Sequence, residues 1–389
     1  MDGDDEQLME PQVISIRRMG ANEVGAVKAL AGRAFSPLAS VSFPRSPDAL
    51  IAERGGKLLG AVVLRTFRLP GNGRDEERRG GVMLWLMVEP GARRLGAGGR
   101  LVEAALRSFE ERGCREVFAC VEGYNSSSAN LFAARGFTIL SFGEQLRRYG
   151  FLGTLALWLR TSRLGGDVGN FLWARPGQLE SDSPALQWCV GALANALVLL
   201  LVGWRGHWLS GFDPATLLGV VLIVVVLLGL REGAMRLVTW LHGLPVHHRA
   251  WESAFPLSLG IALLLGVFLP VPGAVYPRQR AWSHRDLISK LGPVAFAGAL
   301  AVLVFAWAAW VLARFAGPSP EVTQWFDSAR GVGLMLAAFE VLLPFSPFVS
   351  FDGRRVWDWN RAVWGVLAAA VLGLLLVAVY PFVVAAQQR

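Results

Sequence analysis

Apolar positions are spaced in two different ways along this chain, and the change falls near residue 180. Before it, short apolar runs alternate with polar turns. Val13 to Arg17 alternates as a strand does, and Glu23 to Phe35 has the spacing of a helix. Residues 50–53 and Leu58 to Leu69 read as strands joined by a turn at Gly55-Gly56. Gly71 to Gly80 is a polar loop. Met83 to Val88 is almost continuously apolar, as a central strand covered on both faces should be. A glycine-rich turn follows, then a helix from about Gly99 to Arg112, a strand at Glu116–Val121, a short helix at Ser127–Arg135 and a strand at Phe137–Phe142. A further helix is expected from Gly150 to Arg163, before a last strand at Phe171–Arg175. The helix at 150–163 carries Phe151, Leu152, Leu155, Leu157, Trp158 and Leu159 with arginines around them. It suits a membrane surface or a core-facing position equally.

After residue 184 the pattern is that of a bilayer protein. Apolar segments run at about 185–203, 214–230, 254–272, 293–315, 331–346 and 362–385, several near the ~20 residues that cross a membrane. If all six crossed, the arginine-rich loops 278–290 and 354–361 would both lie outside, against the positive-inside tendency. If 254–272 re-enters instead, shaped by Pro256, Pro270 and Pro272, both loops are cytoplasmic. That arrangement gives five crossings and an external C-terminus.

Composition sharpens this division. The chain has 389 residues, 53% of them hydrophobic, and a net charge of +8. Only Lys28, Lys57 and Lys290 are lysines. Many arginines flank apolar segments, which favours cytoplasmic membrane loops over nucleic acid, and no nucleic-acid partner is expected. Cys114, Cys120 and Cys189 lack metal-ligand spacing. The acidic start, residues 1–11, is not a signal peptide and is expected to be disordered. The following half is therefore expected in the cytoplasm, where acyl-coenzyme A is available.

The turn from Arg93 to Gly98 carries candidate chemistry. A helix start leaves N–H groups unpaired and adds partial positive charge. Gly96 and Gly98 lack Cβ atoms, so a pyrophosphate can approach the main chain. Arg93 and Arg94 can add charge-assisted bonds. The competing account is a tight strand-to-helix connection and nothing more.

Its surroundings point further. Val88-x-Pro90-x-x-Arg93-x-x-Gly96-x-Gly98-x-x-Leu101 resembles the acetyl-CoA pyrophosphate turn of the GCN5-related N-acetyltransferase (GNAT) family. Asn125, followed by Leu131-Phe132-x-x-x-Gly136-Phe137, resembles the family's second motif. The resemblance implies an α+β GNAT fold over residues 12–178, a mixed central sheet with flanking helices. It implies acetyl-CoA bound at Val88, Arg93, Arg94, Leu95, Gly96, Ala97, Gly98, Gly99, Asn125 and Phe132, with its carbonyl polarised by an N–H near Val88. Phe132 stands where many relatives have a proton-donating tyrosine, and Met83–Val88 carries no carboxylate. Glu122 and Tyr124 are the nearest replacements for catalysis; the alternative is an ordinary loop carboxylate and a packed aromatic. Ser126-Ser-Ser reads as the cap of the short helix.

Residues 179–389 are expected to be an all-α, multi-pass transmembrane domain. Here Pro344, Pro347 and Phe351-Asp352-Gly353, together with Gly292-Pro293, resemble motifs of the site-2 protease family of intramembrane zinc metalloproteases. Arg231-Glu232-Gly-Ala-Met235 lies where that family has His-Glu-x-x-His. Both histidines are replaced, and catalytic zinc needs three protein ligands, so Arg231, Glu232, Met235 and Asp352 read as a vestigial site without metal. Arg231 is expected to bridge Glu232 and Asp352 as a buried cation, or else to be solvated at the interface with Glu232. The sequence therefore suggests a membrane-anchored N-acetyltransferase using acetyl-CoA on an amine, with a lipid headgroup or protein N-terminus among the candidates. The alternative is a non-enzymatic membrane regulator that senses acyl-CoA while the protease-like core binds a partner.

Overall fold

The computed structural model describes residues 13–35, 43–44, 47–69, 78–161, 168–177, 183–206, 214–279, 281–315, 320–345 and 348–387. The acidic terminus, most of the polar loop Gly71–Gly80, the expected boundary at 178/179 and Pro347 lie outside them. The chain divides into two compact units. The first comprises residues 1–120, 131–162 and 172–180, and the second residues 121–130, 163–171 and 181–389.

The first unit is built on a mixed sheet of seven strands in the order β1-β2-β3-β4-β5-β7-β6. The strands are β1 (Ser15–Arg18), β2 (Asp48–Arg54), β3 (Lys57–Arg68), β4 (Arg79–Val88), β5 (Cys114–Glu122), β6 (Thr138–Ile139) and β7 (Asn170–Arg175). β1 to β4 pair antiparallel, β4 and β5 parallel, and β6 and β7 antiparallel. Its helices are α1 (Val24–Ala34), α2 (Ala97–Glu111) and α4 (Phe142–Thr161), and α3 (Ser126–Ala133) begins in the second unit. β4 shows why its sequence is apolar throughout. Trp85 and Met87 join Val27 and Leu30 of α1 in one core. Val82 joins Phe118, Tyr149, Leu157 and Leu172 in the other. Neighbouring side chains on a strand point to opposite faces, so both faces must be apolar.

Two expectations need correction. β4 begins at Arg79, inside the expected loop, because Gly80 and Gly81 are packing positions rather than turn residues. A Cβ on Gly81 would lie 2.7 Å from carbons of the Phe109 ring, and one on Gly80 would lie 2.8 Å from Leu69. The last expected strand before the added helix shrinks to two residues, and Phe142 already belongs to α4. α4 bends at Gly150, whose φ is +66°.

The second unit is mainly helical: α5 (Pro184–Arg205), α6 (Pro214–Leu241), α7 (Phe255–Leu265), α8 (His284–Phe315), α9 (Pro320–Leu342), α10 (Asp352–Trp359) and α11 (Arg361–Gln387). Among the described residues, four helices are long and apolar enough to cross a membrane, at Pro184–Arg205, Leu217–Leu241, His284–Phe315 and Arg361–Ala378. α7 has 11 residues, too few to span, and α9 carries Asp327, Arg330 and Glu340 and is outside that group. Strands β8 (Val246–Arg249) and β9 (Ala274–Pro277) form an antiparallel pair.

On β8, the guanidinium of Arg249 donates to Nε2 of His247 at 2.6 Å. Burial, reinforced by the charges of Arg249 and Arg278, pulls the imidazole down to about 3. It is neutral in the fold, whereas the unfolded chain takes up a proton below about pH 6.5. The unfolded state then binds more protons, so this contribution is present above pH 6.5 and is lost as pH falls toward 3. Melting in detergent should therefore fall between pH 7 and pH 4, with a shallower slope for His247→Gln. Identical slopes would contradict this account.

Candidate functional site

In the first unit the candidate site is a feature of the main chain. β4 stays paired with β3 as far as Gly60–Val88. Its ladder with β5 stops at Met83–Ala119, five residues before β4 ends. The ladder thus does not reach Val88, where an extended ligand could pair with the strand. The chain leaves β4 through a short 3-10 turn at Pro90–Ala92 and reaches α2 through Arg93 to Gly96. Arg94 has φ +69° and Gly96 φ +85°, both left-handed. Such a turn presents successive N–H groups to one side. α2 has no side-chain cap at Gly96. Its first N–H groups have no intrahelical acceptor by geometry alone.

Space is available where a ligand would sit. A Cβ on Gly96 would meet nothing within 4 Å, and Arg93 to Gly96 are exposed. Leu95 is likewise outward, whereas Ala97 is buried and starts the core face of α2. Gly98 lies between Val88 Cγ2 and Leu131 Cδ2, each 3.5 Å from its would-be Cβ. Arg93 reaches the Ala34 carbonyl at 3.5 Å. Arg135, a residue the motif reading did not single out, lies directly against Gly99. It is held by Glu103 at 2.7 Å and by the Leu131 carbonyl at 3.1 Å. It therefore adds a third positive charge near the head of α2. Phe132 is buried, edge-on to Phe137 at 5.1 Å. These features fit acetyl-CoA, whose diphosphate needs donors and a close approach to the main chain.

The other sequence candidates belong to the second unit. Asn125 is exposed, and its Oδ1 accepts from the Ser128 N–H at 3.1 Å. Asn125, rather than Ser126, therefore caps α3. The Ser126 hydroxyl instead accepts from the His284 N–H at 2.9 Å. Glu122 accepts from the Tyr124 N–H at 2.9 Å and from the Ser350 hydroxyl. The Tyr124 hydroxyl donates to the Val275 carbonyl at 2.7 Å. Its ring stacks on Tyr276 at 4.6 Å, and the Arg355 guanidinium lies 3.9 Å from its centroid. Burial pushes the Tyr124 phenol well above the ordinary tyrosine range.

Behind Tyr124 lies a buried set of four charges. Arg231 on α6 approaches Asp352 Oδ2 at 2.9 Å and Glu340 Oε1 at 2.8 Å. The second approach is out of line for a hydrogen bond, so it is an electrostatic contact. Arg231 also donates to the Gly273 carbonyl at 3.2 Å. Arg355 pairs with the other oxygen of Asp352, and Glu340 accepts from the Asp352 N–H at 2.8 Å. Two cations thus face two carboxyl groups. The sequence-based bridge is half corrected. Arg231 binds Asp352 as expected, but its second carboxylate is Glu340. Glu232 pairs with His248 at 3.0 Å and with Arg236 at 2.7 Å. Neither Arg231 nor Glu232 is solvated at an interface; both are buried. Met235 is buried too, and a Cβ on Gly298 would meet both Met235 and Asp352. This donor set does not suit catalytic zinc, which needs three ligands and an open position. Arg231 and Met235 supply no such ligand, and the guanidinium already neutralises Asp352. Among the described residues no group of three or more His, Cys, Asp or Glu could hold a metal.

Comparison with known proteins agrees with both halves. Residues 32–137 match the model of the Acetyltransferase (GNAT) family, so this part of the chain is a GNAT acetyltransferase domain. A Methanocaldococcus jannaschii protein named as a zinc metalloprotease is 28% identical over 131 residues, which is 33% of this chain and 63% of that protein. The chain thus spans just under two thirds of that relative. Solved structures that resemble it include the ribosomal-protein-S18-alanine N-acetyltransferase of Escherichia coli. That structure is 14% identical, with 44% of this chain and 97% of that one covered, at a TM-score of 0.31. Another is the N-acetylglutamate synthase of Neisseria gonorrhoeae complexed with coenzyme A and N-acetyl-glutamate, at 22% identity, 43% and 35% coverage and a TM-score of 0.31. At such scores the fold rests on this chain's own sheet order and turn geometry.

The charge set makes a direct prediction. Asp352→Ala leaves Arg231 and Arg355 facing each other in a buried place and should cost about 3–5 kcal/mol. Pairing it with Arg231→Met removes one charge of each sign and should recover more than half of that loss. Thermal unfolding in detergent measures both; additive losses would mean that the two groups are not coupled.

Proposed function

We propose that this chain is a membrane-anchored N-acetyltransferase that moves an acetyl group from acetyl-CoA to an amine. The observation that carries the reading is the uncapped head of α2 behind two left-handed residues, beside a strand edge that has parted from its neighbour. The diphosphate would bind the main chain of Arg94 to Gly99, with Arg93, Arg94 and Arg135 adding charge. The acyl arm would extend along the open edge of β4 toward Val88, where an N–H polarises the thioester carbonyl. Phe132 would line the arm. A neutral amine attacks the carbonyl carbon, forms the amide bond and expels the thiolate, and its surplus proton leaves through water. Phe132 cannot donate a proton to the departing thiolate. The phenol of Tyr124 is already given to Val275, so no acid is assigned among these groups.

The apolar helices would anchor the enzyme as a multi-pass protein with its acetyltransferase domain in the cytoplasm. The protease-like unit, with Arg231 in place of a metal ligand, would be inactive as a peptidase. The amine acceptor would be drawn from molecules at the membrane, a lipid headgroup or a protein N-terminus. One observation favours the alternative of a non-enzymatic acyl-CoA sensor. Glu122 and Tyr124, the nearest polar replacements for missing catalytic groups, are both engaged in holding the 121–130 segment.

The purified full chain in detergent should bind acetyl-CoA and hydrolyse it slowly. Gly96→Glu should weaken binding at least about tenfold, ~1.4 kcal/mol, because it places a carboxylate and a strained side chain in the anion site. Binding without any turnover on presented amines would favour the sensor, and no binding would remove both readings. Zinc analysis of the same sample should find less than stoichiometric metal; one tightly held zinc per chain would contradict the charge-substituted core.

A further inference from the structure

The second half of α4, residues 151–161, has two unlike sides. Thr154, Leu157 and Thr161 turn inward, and Leu157 packs with Phe118 and Leu172. The opposite side carries Phe151, Leu152, Leu155 and Leu159, which are 71%, 77%, 36% and 57% exposed. Residues 151, 155 and 159 follow one another at four-residue steps, so they form a single stripe. An exposed apolar patch of this kind marks an interaction surface. The bend at Gly150 sets the aim of the stripe independently of the first half of the helix. The core-facing alternative for this helix therefore holds on one face, while the opposite face is exposed.

We propose that this stripe inserts into the headgroup–acyl boundary of an anionic bilayer and holds the acetyltransferase domain on the membrane surface. The inference rests on reading α5, α6, α8 and α11 as membrane-spanning. Two observations choose this occupant. Arg147 and Arg160 are the exposed cations of this helix, and no acidic residue occurs from Gln145 to Thr161. Arg147 bridges Glu144 yet keeps a 62% exposed side chain. Arg160 is exposed as well. A cationic rim around an apolar face matches a surface of anionic lipid. The second observation is covalent. β7 ends at Arg175 and α5 begins at Pro184, nine positions later. Nine residues reach at most about 30 Å when fully extended. The domain therefore meets the bilayer at high effective concentration, and a shallow contact too weak for a free domain suffices.

The test uses the full chain in vesicles of phosphatidylcholine and phosphatidylglycerol, with Cys114, Cys120 and Cys189 replaced. A fluorophore is attached to a cysteine at position 152 or, as a control, at Arg107, an exposed residue of α2. Lipids carrying a nitroxide near the top of the acyl chain should quench the label at 152 several-fold more than the label at 107. Leu155→Asp should abolish that difference while the chain stays in the membrane. Equal quenching at 152 and 107 in a chain that resists alkaline carbonate extraction would overturn the docking proposal alone. Equal quenching in a chain that carbonate releases would overturn the membrane-spanning reading with it. Concentration-dependent cross-linking between copies through position 152, without lipid quenching, would assign the stripe to a dimer and also overturn the proposal.

Discussion

A helix that begins without a capping side chain must find partners for its first N–H groups elsewhere. α2 is such a helix, and much of the first unit serves its exposed head. Its far end is fixed by Phe109, which fills the space left by Gly81 on β4. Its middle is fixed by Leu101, which would stand 3.1 Å from a Cβ on Gly60 of β3. With the axis held at those points, the left-handed Arg94 and Gly96 leave the first turn facing open space. Main-chain donors held in this way pay no reorganisation when an anion arrives, which is how a helix N-terminus becomes a binding site. In the proposed reading the nearby arginines would add specificity for a diphosphate, and the end of β4 near Val88 would take the acyl arm.

The second unit solves a different problem. Charges taken out of water cost several kcal/mol each unless they are paired. Arg231, Glu340, Asp352 and Arg355 meet that condition by balancing two against two, with Asp352 touching both cations. The ring of Tyr124 adds a face for Arg355, and desolvated cation–π contacts of this kind are worth about 2 kcal/mol. Guanidinium groups are what face the carboxylates in this unit. A guanidinium does so with directional bonds but offers no Lewis acidity and no site for water.

Much of this was legible in the sequence. The alternation of β1, the apolar runs of β2 to β4 and the turn at Gly96 are local patterns, and local physics fixes them. The second half of the extra helix, from Gly150 on, was legible as an apolar segment with flanking arginines, though not its first half from Phe142. What stayed hidden depends on distant partners. Gly80 and Gly81 look like loop residues until Leu69, Phe67 and Phe109 are seen filling the space beside them. Glu340 sits within an apolar stretch and gives no periodic sign of facing Arg231. Tyr124 looks like an available acid only while Val275, 151 positions away, is out of view. Arg135 lies 36 positions after Gly99, and only the tertiary fold of the first unit brings them together.

The account stands most directly on the amides between Arg94 and Gly99. Hydrogen exchange of the full chain, with and without saturating coenzyme A, reads those amides one segment at a time. Slowed exchange concentrated at the start of α2 and along the end of β4 is the expected result. Unchanged exchange there, with coenzyme A present far above any plausible dissociation constant, would contradict the claim that this turn is a diphosphate site.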